Sequence, residues 1–269
     1  NVFAPTAQPM PISFDSLALG LDAGFGVLGG RLYGWGTNEN FALGDWVARD
    51  ARVDEPTPIP GQDSVATVSV GLWSTFVLRE DGTLLAFGWN RDGELGTGGS
   101  GSSDAAPAPV GPGAWAGVSA GIGHTCGWTR TGEVFCWGAG AGPGIGGCEA
   151  KDGALGIGEV SVTTPEAVPG LVAAHVSAGC STCLVDRTGG LWCFGPNASG
   201  ELGTGDDVAH LSPTAVAPEL RFTAVETSVS HTCAIREGGA LYCWGDDTDR
   251  VLGVGGVERA LVPQRVVIP

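Results

Sequence analysis

One dipeptide organises this chain. An aromatic residue followed by glycine recurs at Trp35-Gly36, Phe87-Gly88, Trp137-Gly138, Phe194-Gly195 and Trp244-Gly245, with steps of 52, 50, 57 and 50 residues between the glycines. Leu-Gly follows each copy, at Leu43-Gly44, Leu95-Gly96, Leu155-Gly156, Leu202-Gly203 and Leu252-Gly253. The glycine-to-glycine gap is 8 residues in four copies and 18 in the third, which therefore carries a ten-residue insertion. Fixed spacing inside a period of ~50 residues restricts the fold to an array in which each unit buries its apolar face on the next.

The order of segments within a unit is also constant. A Pro-led strand comes first, as in Thr164-Pro165-Glu166-Ala167-Val168, and an apolar stretch such as Val118-Ser119-Ala120-Gly121 follows. Next is a hairpin, His124-Thr125-Cys126-Gly127-Trp128, a turn at Thr131-Gly132, then Val134-Phe135-Cys136-Trp137. The sibling turns Asp81-Gly82, Thr188-Gly189 and Gly238-Gly239 supply the positive φ that tight hairpins need. The 47 Gly and 17 Pro, against a single Lys and a single Met, favour short strands and turns over helices. Four short strands per unit predict an all-β propeller of about five four-stranded blades. The whole chain, 1–269, reads as one propeller domain with units at 5–56, 57–106, 107–163, 164–211 and 212–269. Pro-led strands number six, near Pro5, Pro58, Pro107, Pro165, Pro213 and Pro263, one more than five blades need. A closed ring of five is preferred, with the surplus terminal strand closing it by exchange between termini or mediating self-association; an open ring and one completed by another chain are the alternatives.

Phe87-Gly88-Trp89-Asn90-Arg91-Asp92-Gly93-Glu94-Leu95-Gly96 and Phe194-Gly195-Pro196-Asn197-Ala198-Ser199-Gly200-Glu201-Leu202-Gly203 resemble the signature of the RCC1 (regulator of chromosome condensation) repeat family. With its paired hairpin cysteines the chain is most similar to secreted bacterial-type members. The resemblance spans about residues 9–266 and implies a β-propeller. Familiar members have seven blades, whereas five hairpins are present here. The family includes exchange factors, a plant light receptor, ubiquitin-ligase modules and a secreted β-lactamase inhibitor, so fold does not fix function.

The cysteines follow the repeat. Cys126 and Cys136, Cys183 and Cys193, and Cys233 and Cys243 hold one pair of places, always ten apart. Phe76 and Ala86 stand there in the second unit, and counting back from Trp-Gly puts Gly24 and Gly34 there in the first. Cysteine at both places or neither is the mark of directly opposed residues, whose Cα separation suits a disulfide. Each bridge closes an 11-residue loop, worth roughly 2.7 kcal/mol by chain entropy. Cys148 and Cys180 remain and are expected to form a fourth bridge. A zinc site from Cys148, Cys180, Cys183 and Cys193 stays open as the alternative, because Cys180-Ser181-Thr182-Cys183 is a C-x-x-C. Persistent disulfides place the chain in an oxidising compartment, secreted or at the cell surface.

The net charge of −16 repels phosphate backbones, which excludes nucleic acid as an expected partner. No apolar run long enough to span a membrane occurs. Gly138-Ala139-Gly140-Ala141-Gly142-Pro143-Gly144 lacks the context of a phosphate loop, and no nucleophile elbow or metalloprotease motif occurs. Asn197-Ala198-Ser199 fits a glycosylation sequon, although a turn-capping role suits its place in the repeat better. No cofactor, metal or catalytic residue is expected. The chain reads as a non-catalytic protein-interaction module that meets another protein at one propeller face. A secreted enzyme inhibitor is the alternative, and an enzyme with carboxylates at the channel mouth is the second. The turns after each Trp/Phe-Gly vary most, so Trp89, Arg91, Asp92, Asn38, Asn197 and Asp247 are the candidate partner-binding residues. Trp46, Trp73 and Trp115 also lie outside the repeated aromatic places.

Overall fold

The computed structural model describes residues 13–140, 148, 152–256 and 258–267. Each hairpin zips in the register that its glycine turn sets, and a strand joins on either side to make a four-stranded antiparallel blade. Blade one is β1 (Ser16–Leu19), β2 (Ala23–Leu28), β3 (Arg31–Thr37) and β4 (Arg52–Pro58). Blade two is β5 (Val65–Val70), β6 (Ser74–Arg79), β7 (Leu84–Asn90) and β8 (Ser102–Pro109). Blade three is β9 (Trp115–Ala120), β10 (His124–Thr129), β11 (Glu133–Gly138) and the first part of the long β12 (Val162–Ala178). The second part of β12 opens blade four, followed by β13 (Thr182–Asp186), β14 (Leu191–Gly195) and β15 (His210–Val216). Blade five is β16 (Phe222–Thr227), β17 (His231–Arg236), β18 (Leu241–Asp246) and β19 (Arg259–Arg265). The Pro-led strand is therefore the outer, fourth strand of the blade that it follows, where a missing N–H is tolerated. The surplus Pro-led segment near Pro5 lies outside the described residues.

The core is divided between blades. Four apolar clusters occur, one at each junction from one–two to four–five. Among the described residues none joins blade five to blade one. Among the described residues the closure expected between blades five and one is not seen, and the outward faces of these two blades meet no other blade. Blade five bears the consequence. His231 and Cys233 are half-buried and Ile235 is exposed, whereas Ser74, Phe76 and Leu78 at the same places of blade two are buried. Among the described residues no blade covers the former set.

Between blades the backbones come close. A Cβ on Gly71 would lie 2.7 Å from the Gly121 carbonyl oxygen, on Gly121 2.6 Å from that of Gly179, and on Gly179 2.3 Å from that of Ser228. The repeat keeps glycine there because any side chain would force neighbouring blades apart. A ladder of serines reinforces the approach. The Oγ of Ser69, Ser119 and Ser177 accept from the amides of Ala120, Ala178 and Thr227 in the following blade.

The first hairpin departs from the expected alignment. Gly24 pairs with Trp35, and it is Phe25 that opposes Gly34. Here four residues separate the paired Val27 and Leu32, one fewer than separate Leu78 and Leu84 of blade two. Counting back from Trp-Gly therefore slips by one. Phe25 and Phe76 fill the same place, both fully buried.

Candidate functional site

At one face, each blade sends a loop from its third to its fourth strand, and this loop contains the Leu-Gly pair. In four of the five blades one polar side chain folds the loop; blade three has Gly140 at that place. Asn38 Oδ1 accepts from the Leu43 amide at 2.8 Å while its Nδ2 donates to the carbonyls of Gly44 and Val47. Asn90, Asn197 and Asp247 repeat the acceptor bond with Leu95, Leu202 and Leu252. All four caps are essentially buried. Asn38, Asn197 and Asp247 thus spend their polar atoms inside the loop, and any contact with a partner falls to exposed neighbours. Asn197 Nδ2 donates to Asp206, so the sequon amide is engaged as well.

Every loop but the last is then locked to the following blade. Thr75, Thr125, Thr182 and Thr232 donate their hydroxyls to the carbonyls of Ala42, Glu94, Ala154 and Glu201, each one residue before the loop leucine. Trp137 and Trp244 add their indole N–H groups to Glu94 and Glu201 at 2.8 and 2.9 Å. In blades three and five the repeated tryptophan is therefore a clamp on the loop before it. His124 belongs to the same scheme. It is buried and bonds the Thr182 hydroxyl of the next blade at 2.8 Å.

All eight cysteines are bridged. Cys126–Cys136, Cys183–Cys193 and Cys233–Cys243 join opposed residues with Cα atoms 4.1 Å apart, and Cys148–Cys180 ties the insertion of blade three to the entrance of blade four, with Cα atoms 5.5 Å apart. Because Cys180 and Cys183 bond to different partners, the C-x-x-C assembles no thiolate cluster. Among the described residues no group of His, Cys, Asp or Glu is placed to hold a metal.

The fourth bridge borders a cavity of about 420 Å³ on the loop face. Its wall takes the variable turn Pro196–Ser199 of blade four, Val229 and Ser230 of blade five, and the carboxylates of Asp152, Asp207 and Asp246. Thr248 donates its hydroxyl and its amide to Asp246, which holds that carboxyl below the ordinary range. Beside the cavity, burial raises the pKa of Asp206, but bonds from His210 and Thr204 outweigh it and keep the group ionised. Two of the variable turns singled out by sequence meet here. The cavity itself was invisible, because its parts lie in three units and the insertion aligns with nothing.

The blade-two candidates sit elsewhere. Trp89 is half-buried against Trp73, ring centroids 5.5 Å apart; Arg91 is exposed, and Asp92 takes the Glu94 carboxylate on its amide. Trp115 is buried in the junction between blades two and three, donating to the Val110 carbonyl. Trp46 packs on the first cluster.

Models of the regulator of chromosome condensation (RCC1) repeat match residues 29–78 and 188–235, and a second model of the same description matches 65–94 and 222–250. This is an RCC1-repeat β-propeller. The matched residues take in the hairpins of blades two and five, whereas the blade-three hairpin lies outside them. The human E3 ubiquitin-protein ligase HERC2 is 30% identical over 199 residues, 70% of this chain and 4% of that protein. The Arabidopsis thaliana mitochondrial RCC1 domain-containing protein RUG3 is 26% identical over 201 residues, 70% of this chain and 43% of that protein. The chain thus spans less than half of either relative. Saccharomyces cerevisiae Prp20p superposes with a TM-score of 0.80 at 21% identity, covering 95% of this chain and 63% of that one. Human WBSCR16 superposes at 0.79 and 18%, covering 97% and 70%. These likenesses confirm the fold.

Proposed function

We propose that this RCC1-repeat chain is a non-catalytic protein-binding module, secreted or held at the cell surface, that takes a basic side chain of its partner into the acidic cavity between blades four and five. The cavity carries the reading. Asp152, Asp207 and Asp246 converge there from three loops on a rim braced by Cys148–Cys180. Preplaced carboxylates on rigid loops favour a Lys or Arg whose ordering then costs little. The net charge of −16 steers a cationic protein toward this face and a nucleic acid away from it. Arg91, exposed beside the half-buried Trp89 on the blade-two turn, adds a second contact, Arg and Trp being enriched at binding hot spots. Four disulfides support an oxidising setting. The Prp20p structure is described together with binding to Gsp1p and histones, so this architecture is compatible with protein recognition.

Affinity capture from extracellular protein with the 269-residue chain would supply the partner for the test. The pair Asp152→Asn and Asp246→Asn should weaken binding tenfold or more without lowering the melting temperature, and Arg91→Ala should weaken it less. Full binding by the double variant would overturn the role of the cavity. Turnover of an extracellular substrate that the same variant abolishes would overturn the non-catalytic reading.

A further inference from the structure

The connections between the first and second strands of all five blades meet on the loop face, where they line a second cavity of about 270 Å³. One repeat place supplies much of its apolar wall. Leu21, Leu72, Ile122 and Val229 follow Gly20, Gly71, Gly121 and Ser228 in blades one, two, three and five. In blade four Cys180 holds that place and is bridged to Cys148 instead. Among the described residues these four aliphatic side chains belong to none of the apolar clusters at the blade junctions. Leu21 is 65% exposed and the other three are half-buried. Aliphatic side chains gathered from separate units in an open hollow mark a contact site rather than a core.

The wall favours an apolar occupant. The amides of Gly20, Gly71, Gly121, Gly179 and Ser228 donate to carbonyls of their own blades, and the Thr227 hydroxyl bonds that of Ser177. A polar group entering here would lose water without replacing its hydrogen bonds, whereas an apolar one gains by burial. The cavity also adjoins the acidic one. Val229 lines both, and Gly179 and Ser228 on the apolar side lead directly to Cys180 and Ser230 on the acidic side. A single extended segment laid across Val229 reaches the two together.

We infer that the apolar cavity takes a Leu, Ile, Val or Met side chain from the same partner segment whose Lys or Arg enters the acidic cavity. The recognised element is then a short stretch that pairs one basic with one aliphatic residue. The inference rests on the role proposed for the acidic cavity and adds the chemistry that accompanies the basic group. Burial of the aliphatic side chain supplies affinity, while the carboxylates fix orientation.

The test selects a random dodecapeptide display library on the intact 269-residue chain. Recovered peptides should carry Lys or Arg together with Leu, Ile, Val or Met. Synthetic copies should bind about tenfold more weakly once Ser replaces the aliphatic residue. Leu72→Asn and Ile122→Asn, at residues that do not line the acidic cavity, should each erase most of that difference. Leu21→Asn alters an exposed side chain and should reduce it with an unchanged melting temperature, which separates lost binding from lost folding. Asp246→Asn should weaken both peptides alike. Basic peptides with no aliphatic preference, or peptides that bind all three Asn variants of the apolar wall at full affinity, would overturn the inference and leave the acidic cavity standing. Aliphatic peptides indifferent to Asp246→Asn, or no enriched sequence at all, would overturn both. A concentration-dependent dimer that Leu72→Asn dissolves would overturn the inference too, making a second copy the occupant.

Discussion

Blades two and three solve one packing problem in two ways. At the pair of opposed places in the middle of the hairpin, blade two has Phe76 facing Ala86, whereas blade three has the Cys126–Cys136 disulfide. Both pairs are fully buried at a junction with the next blade. Phe76 contributes ring area and an edge contact to Trp137, with centroids 6.1 Å apart. The cystine contributes less area but restricts the unfolded chain. The comparison shows that the fold demands a filled junction rather than a particular residue, and that the source of stability can be contact in one blade and chain entropy in another.

The largest expected effect comes from emptying the aromatic place. Phe76→Ala should cost about 3–5 kcal/mol in denaturant unfolding, because the junction cannot collapse around the void. Phe76→Cys with Ala86→Cys puts blade two on the other solution. Its thiols should oxidise, since the two residues are opposed, and recover about 2.7 kcal/mol of the chain-entropy contribution. Free thiols in that variant would show that opposition within a hairpin is insufficient.

Next in size is the removal of a cystine. Cys183→Ala with Cys193→Ala should cost about 2–4 kcal/mol, without a change in the loop-face contacts. Exposure orders the bridges under mild reductant. Cys183 and Cys193 are inaccessible, whereas Cys233 is half-buried, so Cys233–Cys243 should be reduced first. Mass mapping of alkylated cysteines would check the order.

The smallest effect is electrostatic and concerns the hairpin turn of blade four. Burial raises the pKa of Asp186, but bonds from Thr188, Trp192 and Gly190 outweigh it and leave the carboxyl below its ordinary value. A folded-state pKa below the unfolded one adds stability that is fully present above the unfolded value, about 3.9, and is lost as pH falls through the folded one. The stability gap between the parent chain and Asp186→Asn should therefore be constant near neutrality and close below about pH 4. A gap independent of pH would show that the turn is held by shape alone.

Much of this was legible along the chain. Hairpin register follows from glycine turns and a side-chain period of two, so three of the cystines could be placed from spacing, and the fourth from the two cysteines left over. The same local logic failed at Gly24, because one residue missing from the turn shifts every opposition counted from the far strand. It also could not separate a loop residue that faces solvent from one that folds the loop. Asn38, Asn197 and Asp247 vary little in type because each satisfies a leucine amide.

What the sequence by itself determined is whatever depends on neighbours within a hairpin: five repeat units, the opposed cysteine pairs, the glycine turns and the acidic charge. What only the tertiary structure decided is whatever depends on the next unit, about fifty residues away. The burial of Val68 and the exposure of Leu17, the clamp of Trp137 on Glu94 and the cavity beside Cys148–Cys180 are all of this kind. Equivalent residues in a repeat share their local conformation, but their surroundings are set by whether another blade lies against them, and only three-dimensional packing supplies that.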